Sequence, residues 1–169
     1  MNKVGIFYGS TTGTTEEIAR KIGEKLGLSK SDVHDAAKIS EDLVNQYDVL
    51  ILGTATWGDG EQQDDWYDGV KVLMATDLTN KPIALFGCGD SESYSDTFCG
   101  GMGYLYQDLK DSGCRFCGIT DVDGYTFDAS ESVIDDKFIG LPIDDVNESD
   151  KTDARIDEWI EKLKKECLE

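Results

Sequence analysis

Residues 4–15 read Val-Gly-Ile-Phe-Tyr-Gly-Ser-Thr-Thr-Gly-Thr-Thr, an apolar run that passes directly into a loop rich in hydroxyl groups. The apolar part, residues 4–8, is typical of a buried strand. Apolar residues at helical spacing follow the loop, at Ile18, Ile22 and Leu26. A strand, a short loop and a helix in this order begin a βαβ unit, so the stretch predicts an α/β fold with a parallel sheet.

The same alternation of apolar runs and helical stripes continues along the chain. Strands are predicted at residues 4–8, 32–35, 48–53, 83–87 and 116–120. Further helical stripes occur at Trp66, Val70 and Leu73, at Met102, Leu105, Tyr106 and Leu109, and at Ile156, Trp159, Ile160 and Leu163. The second crossover, residues 39–45, is too short to predict a helix. Five such strands indicate a doubly wound sheet, in which ligands bind beyond the carboxyl ends of the strands.

A polar segment at residues 120–152 interrupts this pattern and is too long for an ordinary loop. It contains apolar patches at Tyr125, at Phe127 and at residues 138–143. We therefore predict an insertion in or beside the last strand, within a single domain that spans residues 1–169.

The composition restricts the classes of partner. With 35 acidic and 16 basic residues among 169, the formal net charge is −19. This charge disfavours binding to nucleic acid and anionic membranes, because like charges repel, and it favours binding to a basic protein partner. No apolar run approaches a membrane span or a secretory signal, so we expect a soluble, cytoplasmic protein, most simply a monomer. The alternative explanation is that this negative charge only keeps the protein soluble and says nothing about a partner.

The five cysteines include a Cys-x-x-Cys pair, Cys114 and Cys117. A redox dithiol of this spacing opens a helix, whereas this pair lies on a predicted strand, where positions three apart face opposite sides. We therefore predict neither redox nor metal chemistry at this pair.

The loop after the first strand, residues 9–15, brings hydroxyl and backbone N–H groups to a helix N-terminus, which suits a phosphate. A Walker A loop would require Gly-Lys-Ser/Thr, but no Lys or Arg lies between Lys3 and Arg20. A terminal monophosphate held by neutral donors fits better. The loop taken alone is also explained as a Ser/Thr-rich helix cap.

Two further loops follow the third and fourth strands. The first, residues 54–61, contains Trp57 among small residues, and the second, residues 87–94, contains Gly89 and Tyr94. Two aromatic side chains at one edge can enclose a planar ring, while glycines let backbone groups reach its polar rim. Either aromatic alone would be explained by ordinary packing.

The three loops together resemble the FMN site of the flavodoxins, and the resemblance covers essentially the whole chain. It rests on Thr12-Gly13-x-Thr15, on Trp57-Gly58-Asp59-Gly60 and on Gly89-Asp90 with Tyr94, which occur in family order and at family spacing. Residues 120–150 resemble the insertion of long-chain flavodoxins, including Gly124-Tyr125-x-Phe127 and Gly140-Leu141-Pro142-Ile143-Asp144. The first loop lacks the basic residue of some members, and Val146 replaces a frequent acid, which affects expected ribityl contacts.

The resemblance implies the fold, the cofactor and the roles of the site residues. It implies a five-stranded parallel sheet in the order 2-1-3-4-5 with helices on both faces, and one non-covalent FMN. The phosphate would be held by Ser10, Thr11, Thr12, Gly13, Thr14 and Thr15. Trp57 would cover the inner face of the isoalloxazine and Tyr94 the outer face. The flavin edges would be lined by Thr56, Gly58, Asp59, Gly60, Cys88, Gly89 and Asp90.

The resemblance further implies a low-potential one-electron carrier that cycles mainly between semiquinone and hydroquinone. Its partners would be basic-faced redox proteins, namely flavodoxin or ferredoxin reductase-type donors and low-potential acceptor enzymes. The residues agree, because no nucleophile–base pair is evident and the single histidine, His34, lies on a predicted strand away from the three loops. The flavin would therefore carry the chemistry.

The distribution of cations predicts how the protein tunes the flavin. The two longest stretches without Lys or Arg are residues 39–70 and 82–109, which contain both flavin-facing loops. Acids in these stretches oppose the addition of an electron, so we predict a strongly reducing semiquinone/hydroquinone couple. Gly58 tolerates φ > 0, so its peptide could turn its carbonyl toward flavin N5 and stabilise the neutral semiquinone.

Other functions remain to be separated from this one. The nearest enzyme alternative is a flavodoxin-fold NAD(P)H:quinone reductase or the FMN module of a larger reductase, against which stands the lack of a pyridine-nucleotide domain. A receiver-type signalling domain needs acids after strands one and three, where the chain has Tyr8-Gly9-Ser10 and Leu52-Gly53-Thr54. A dinucleotide-binding fold needs a third glycine that residues 87–92 lack.

Overall fold

The computed structural model describes residues 2–10, 13–57 and 61–168. Its strands are β1 (Val4–Gly9), β2 (Val33–Asp35), β3 (Val49–Trp57), β4 (Glu61–Gln62), β5 (Pro82–Cys88), β6 (Arg115–Cys117), β7 (Thr120–Asp121), β8 (Val133–Ile134), β9 (Lys137–Phe138) and β10 (Leu141–Ile143). Its α-helices are α1 (Thr14–Lys25), α2 (Glu41–Val44), α3 (Asp65–Met74), α4 (Gly100–Leu109) and α5 (Ser149–Leu163).

The central sheet is parallel and runs in the order β2-β1-β3-β5, with β6 and β10 together on the far edge of β5. This confirms the predicted order 2-1-3-4-5, with the fifth place taken by two short strands. β6 pairs with residues 82–84 of β5, and β10 pairs with residues 86–88. The last strand of the fold is therefore built in two halves, β6 and β10, and β10 lies within the polar segment at residues 120–152.

The prediction of one continuous strand at residues 116–120 is wrong. β6 ends at Cys117 because Gly118 adopts φ 78, and its carbonyl accepts a hydrogen bond of 2.8 Å from the Trp159 indole. The chain then leaves the main sheet. β7 joins β9 and β8 in a separate antiparallel sheet of three strands.

Helices cover both faces of the main sheet because residues on each strand alternate between two apolar clusters. On one face Ile6, Ile51 and Phe86 pack with α1 and α5. On the other face Phe7, Leu52 and Leu85 pack with α3 and α4. None of the helices that the structure describes is long and apolar enough to cross a bilayer.

The third strand is longer than predicted, since β3 continues past Gly53 to Trp57. The extension pairs with β4 in antiparallel fashion, a partner strand that the apolar pattern did not indicate. The Thr54 hydroxyl accepts a 2.8 Å hydrogen bond from the Gln63 backbone N–H, which fixes the return of the chain. In the second crossover, α2 is a single turn whose first residues are capped by the Ser40 hydroxyl.

The two cysteines of the Cys-x-x-Cys pair contact opposite sides of the sheet, as their strand spacing predicts. Cys117 packs in the cluster with α1 and α5, and Cys114 packs against the cluster with α3 and α4. Among the described residues, no group of three or more potential ligands is arranged to hold a metal ion.

Candidate functional site

A cavity of about 410 Å³ lies at the carboxyl ends of β1, β3 and β5. Its size is typical of a small-molecule site, and its position is the one at which doubly wound sheets bind ligands. Four segments of chain line it: Thr14 and Thr15; Ala55 and Thr56; Cys88, Gly89, Asp90, Tyr94, Thr97 and Cys99; Asp145 and Val146.

One end of the cavity is the N-terminus of α1. Gly13 precedes the helix at φ 98, a conformation that favours glycine, and its N–H donates to the Ser10 hydroxyl at 3.1 Å. No described side chain caps this helix. The helix therefore presents its first N–H groups and the positive end of its dipole to the cavity.

The Thr15 hydroxyl marks the same end of the cavity. Its side chain is buried, and its oxygen makes no hydrogen bond of ordinary geometry with any described residue. Buried hydroxyl groups without partners are rare because their desolvation is not compensated. An anionic oxygen at the N-terminus of α1 would give this hydroxyl an acceptor, so the residues present fit a phosphate.

The Cys88 thiol lies in the wall of the cavity at the end of β5. Burial raises the pKa of Cys88 to about 12, and the neighbouring Thr15 side chain acts in the opposite direction. The thiol is therefore protonated at neutral pH and adds no charge to the cavity.

The segment after β5 is held in place by Asp90. Its Oδ1 atom accepts hydrogen bonds from the Ser93 N–H at 3.0 Å, the Glu92 N–H at 3.2 Å and the Asn147 Nδ2 at 2.8 Å. The Ser93 N–H and the Asn147 amide lower the pKa of Asp90 below its ordinary value. Asp90 is thus a charged carboxylate at the edge of the cavity.

A second carboxylate, Asp144, joins this segment to the chain after β10. Its oxygens accept from the Ser91 N–H at 3.1 Å, the Ser91 hydroxyl and the Asn147 N–H at 3.0 Å. Burial acts to raise the pKa of Asp144, but the hydrogen bonds from Ser91 and Asn147 outweigh it and lower the pKa. Asp144 and Asn147 therefore position two of the segments that line the cavity.

The open side of the cavity carries apolar groups and negative charge. Tyr94 is 60% exposed and Val146 is 67% exposed, and both line the cavity. None of the described residues in its lining is Lys or Arg, whereas Asp90 and Asp145 are acidic. The cavity therefore combines an exposed aromatic ring with an environment that disfavours added negative charge.

The structure brings seven of the predicted site residues together around the cavity: Thr14, Thr15, Thr56, Cys88, Gly89, Asp90 and Tyr94. Ser10 and Gly13 form the turn that leads into α1. The remaining predictions, Thr11, Thr12, Gly58, Asp59, Gly60 and the side chain of Trp57, lie outside the described part of the structure.

Six residues that contact or support the cavity were not predicted as site residues, although Asp144 is part of the motif at residues 140–144: Ala55, Thr97, Cys99, Asp144, Asp145 and Asn147. Asp144 and Asp145 directly follow an apolar run, which is the signal that could have found them. Position 89 requires glycine because of close packing, since a Cβ there would lie 2.8 Å from the Cys99 backbone nitrogen.

His34 lies outside the cavity, on β2, as predicted. Its Nε2 atom is 2.8 Å from the Tyr47 hydroxyl, and its ring stacks on Phe7 at 5.0 Å between ring centroids.

A larger groove of about 790 Å³ runs between the polar segment and α5, along Tyr125 and Trp159. It lacks the converging strand ends of the smaller cavity, which we therefore take as the candidate site.

The fold and the cavity at the carboxyl ends of its central strands define a ligand-binding protein of the doubly wound α/β class, with no Lys or Arg among the described lining residues. The comparisons with known proteins are specific. The family model described as flavodoxin matches residues 6–159 of the chain. With more than half of its length matched in this way, the chain belongs to the flavodoxin family.

Individual relatives agree over nearly full length. The chain is similar to flavodoxin 1 of Azotobacter vinelandii, with 42% identity and 99% of each chain covered. It is also similar to flavodoxin 1 of Escherichia coli strain K12, with 41% identity over 96% of this chain and 93% of the relative. Among solved structures, the flavodoxin of Fusobacterium nucleatum bound to flavin mononucleotide has 34% identity and a TM-score of 0.89, covering 98% of this chain and 99% of the other.

Proposed function

We propose that this chain binds one FMN non-covalently in the cavity and carries single electrons at low potential between redox proteins. The observation that carries the proposal is the N-terminus of α1, which no described side chain caps, together with the buried Thr15 hydroxyl beside it, which makes no hydrogen bond of ordinary geometry with a described residue. The FMN-bound structure of the similar Fusobacterium nucleatum flavodoxin supports the choice of ligand. When bound, FMN would supply the one-electron chemistry.

The protein's own residues would bind and orient the cofactor. Thr14, Thr15 and the turn at Ser10 and Gly13 would hold the phosphate, with Thr11 and Thr12 from the same loop. Tyr94 would cover one face of the ring system and Trp57 the other. The ring edges would meet Thr56, Gly58, Asp59, Gly60, Cys88, Gly89 and Asp90.

The charge around the cavity would set a low potential for the second one-electron step. Asp90 is charged at neutral pH, and no described lining residue is a cation that could compensate an added electron. Each 1 kcal/mol of opposition to that electron lowers a one-electron potential by about 40 mV. The acidic loops would thus make the fully reduced protein a strong reductant.

We also propose that the isolated protein catalyses no substrate reaction of its own. Within the described lining, the Cys88 thiol is protonated at neutral pH, which leaves it a poor nucleophile. The alternative, a flavodoxin-fold NAD(P)H:quinone reductase, predicts steady-state NAD(P)H oxidation by the purified protein. We expect none above the rate of free FMN.

The net charge favours one kind of partner. A net charge of −19 favours basic faces on the donor, of the flavodoxin or ferredoxin reductase type, and on the low-potential acceptor enzymes. We propose that the protein works as a cytoplasmic monomer with the polar segment forming part of a single FMN-binding domain.

Binding of FMN and of riboflavin to the apoprotein tests this proposal most directly. Riboflavin carries the same ring system without the phosphate, so the difference isolates the corner formed by Thr15 and α1. We expect FMN to bind at one site with quenching of its fluorescence, and riboflavin to bind at least ten times more weakly. Equal affinities, or no uptake of FMN, would contradict the proposal.

An anaerobic redox titration of the FMN-loaded protein then tests the carrier function. Two separated one-electron steps are expected, the second at a potential well below that of free FMN. A single two-electron step at the potential of free FMN would show that the site does not tune the cofactor.

A further inference from the structure

Two cysteine side chains from distant parts of the chain meet inside the protein, and neither of them lines the cavity. The Cys117 thiol donates to the Cys167 sulfur across 3.0 Å, and the two residues are only 2% and 3% exposed. Cys117 ends β6, whereas Cys167 lies in the wide helical turn Lys164–Leu168 that follows α5. Both belong to the apolar cluster between the sheet, α1 and α5.

The remaining cysteines are directed elsewhere. Cys114, the other member of the Cys-x-x-Cys pair, contacts the Leu109 carbonyl at 3.6 Å on the opposite side of the sheet. Cys88 and Cys99 line the candidate FMN cavity, where the Cys99 thiol contacts the Gly87 carbonyl at 3.6 Å. The partner of Cys117 is therefore Cys167 and not its neighbour in sequence.

Several hydrogen bonds hold the Cys167 turn against β6 and the start of the chain. Asn2 Nδ2 donates to the Cys167 carbonyl at 2.9 Å. On the other side, the Glu166 carboxylate accepts from the Gly118 N–H at 3.2 Å, directly after Cys117. Because these contacts fix both backbones, the two sulfur atoms are held close in the folded protein. Closing a disulfide, with a sulfur–sulfur bond of about 2.05 Å, requires only a small movement.

We propose that Cys117 and Cys167 form a modification site at which a small hydroperoxide converts the thiol pair into a disulfide. Cys167 attacks the peroxide as a thiolate, so that the O–O bond breaks and a sulfenic acid forms while hydroxide leaves. The Cys117 sulfur then attacks the Cys167 sulfur and displaces the second hydroxide. The protons released by the two thiols convert both hydroxides to water, so two thiols and one hydrogen peroxide give one disulfide and two water molecules.

The surroundings of the pair favour Cys167 as the attacking sulfur. The hydrogen bond from Cys117 lowers the pKa of Cys167 and outweighs burial, which acts to raise it, while the opposite charges of Arg115 and Glu166 act in opposite directions. The same hydrogen bond, together with burial, raises the pKa of Cys117. Cys117 therefore keeps its proton and acts second, as a resolving cysteine does.

The disulfide would close a long loop of the chain. Cys117 and Cys167 are 50 positions apart, and the loop contains the polar segment with β10, followed by α5. A cross-link of this span restricts the unfolded chain, and we expect the melting temperature to rise by roughly 10 °C. Since Cys88 and Cys99 take no part, the candidate FMN cavity keeps its thiols.

The test uses the fully reduced FMN-loaded protein, treated with an equimolar amount of hydrogen peroxide and then alkylated with iodoacetamide under denaturing conditions. We expect the number of alkylated cysteines to fall from five to three. Peptide mapping should find one cross-link, between Cys117 and Cys167, with a loss of two hydrogen atoms. A thiol reductant should restore five alkylated cysteines and the lower melting temperature.

Three serine variants complete the test. Cys117→Ser and Cys167→Ser should form no cross-link, while Cys114→Ser, the matched control, should form it as the wild type does. Five alkylated cysteines after peroxide, a cross-link to any other cysteine, or irreversible oxidation of Cys167 with Cys117 still alkylated would each overturn the proposal. Mapping of the wild type decides the question even where a serine variant fails to fold.

Discussion

At the scale of single residues, Asp144 joins two of the segments that line the candidate cavity. It is a buried carboxylate that accepts hydrogen bonds from Ser91 on one loop and from Asn147 on another. Each donor would be left without a partner if the carboxylate were lost. Leaving a buried donor unsatisfied costs about 1–3 kcal/mol, which makes this residue a sensitive point of the fold.

We expect Asp144→Asn to lower the free energy of unfolding of the apoprotein by about 2–4 kcal/mol, because an amide directs donors at donors. Urea denaturation measures this change. Glu92→Gln is the matched control, since Glu92 is an exposed acid in the same loop and should change stability by less than about 0.5 kcal/mol. Similar losses in both variants would remove the special role of Asp144.

Replacing the Thr15 hydroxyl should affect the stability of the apoprotein and the affinity for FMN in opposite directions. Thr15→Val keeps the shape of the side chain but removes the buried hydroxyl, which makes no hydrogen bond of ordinary geometry with a described residue. The apoprotein should be as stable as the wild type or more so, while FMN should bind about 10–100-fold more weakly, because a hydrogen bond to a charged phosphate is lost. Riboflavin affinity should not change. Thr120→Val, outside the cavity lining, is the control, and a Thr15→Val protein with normal FMN affinity would contradict the phosphate assignment.

His34 predicts a dependence of stability on pH. Burial lowers the pKa of His34, with the charge of Asp32 acting in the opposite direction. The folded state therefore binds fewer protons than the unfolded state as pH falls below about 6.5, and stability decreases from there toward the lowered pKa. Because the chain has one histidine, a single imidazole proton resonance should report this pKa directly. His34→Gln should lose less stability between pH 7 and 5.5, and a folded-state pKa above 6.5 would contradict the prediction.

At the scale of elements, the apolar pattern predicted the strands that lie inside the sheet and failed where tertiary contacts decide. β1, β3 and β5 are buried on both faces, so their sequences are continuous apolar runs. β10 has three residues and includes Pro142, so no strand period is visible there. Its place beside β5 depends on pairing with residues distant in sequence, which a local pattern does not contain.

The site was predictable to the extent that its residues follow predicted strands. Thr15, Asp90 and Tyr94 were predicted as site residues because they lie in the stretches that follow β1 and β5, and all three line the cavity. Thr97 and Asn147 reach the cavity or its supporting network through the path of longer segments. Their contacts depend on how those segments fold back onto the sheet. The residue types alone therefore did not predict that these two residues lie at the site.

Alanine variants of two glycines distinguish the effect of backbone conformation on stability from the effect of packing near the split strand. Gly118 and Gly124 both have positive φ, at 78 and 88. A Cβ on Gly118 would lie 2.6 Å from the Trp159 indole nitrogen, whereas a Cβ on Gly124 would meet open space. Gly124→Ala should therefore cost about 1–2 kcal/mol from backbone strain alone.

Gly118→Ala should cost about 1–3 kcal/mol more than Gly124→Ala, because it adds a clash with α5 to the same strain. Chemical denaturation of the two variants gives the difference. Equal losses would mean that Trp159 moves away without cost and that the junction after β6 is loosely packed.

At the scale of the whole molecule, the charge has a global part and a local part. The net charge of −19 acts on any approaching partner, whereas the cofactor responds mainly to acids within about 10 Å, the screening length at 0.1 M salt. Glu92 and Asp96 are exposed acids in the loop that carries Tyr94. Asp123 and Glu158 are exposed acids along the separate groove beside α5. Because replacing either pair changes the net charge by the same amount, comparing the two double variants isolates the local part.

Replacing Glu92 and Asp96 by their amides should raise the potential of the second one-electron step by about 20–40 mV, from roughly 0.4 kcal/mol per charge near 10 Å. The control pair, Asp123→Asn with Glu158→Gln, removes the same charge and should raise it by less than half as much. Potentiometric titration at low and high salt measures both pairs, and the local effect should shrink as salt increases. If both pairs give equal shifts, net charge and not the loop acids sets the potential. If neither gives a shift, the electrostatic account of the low potential is wrong.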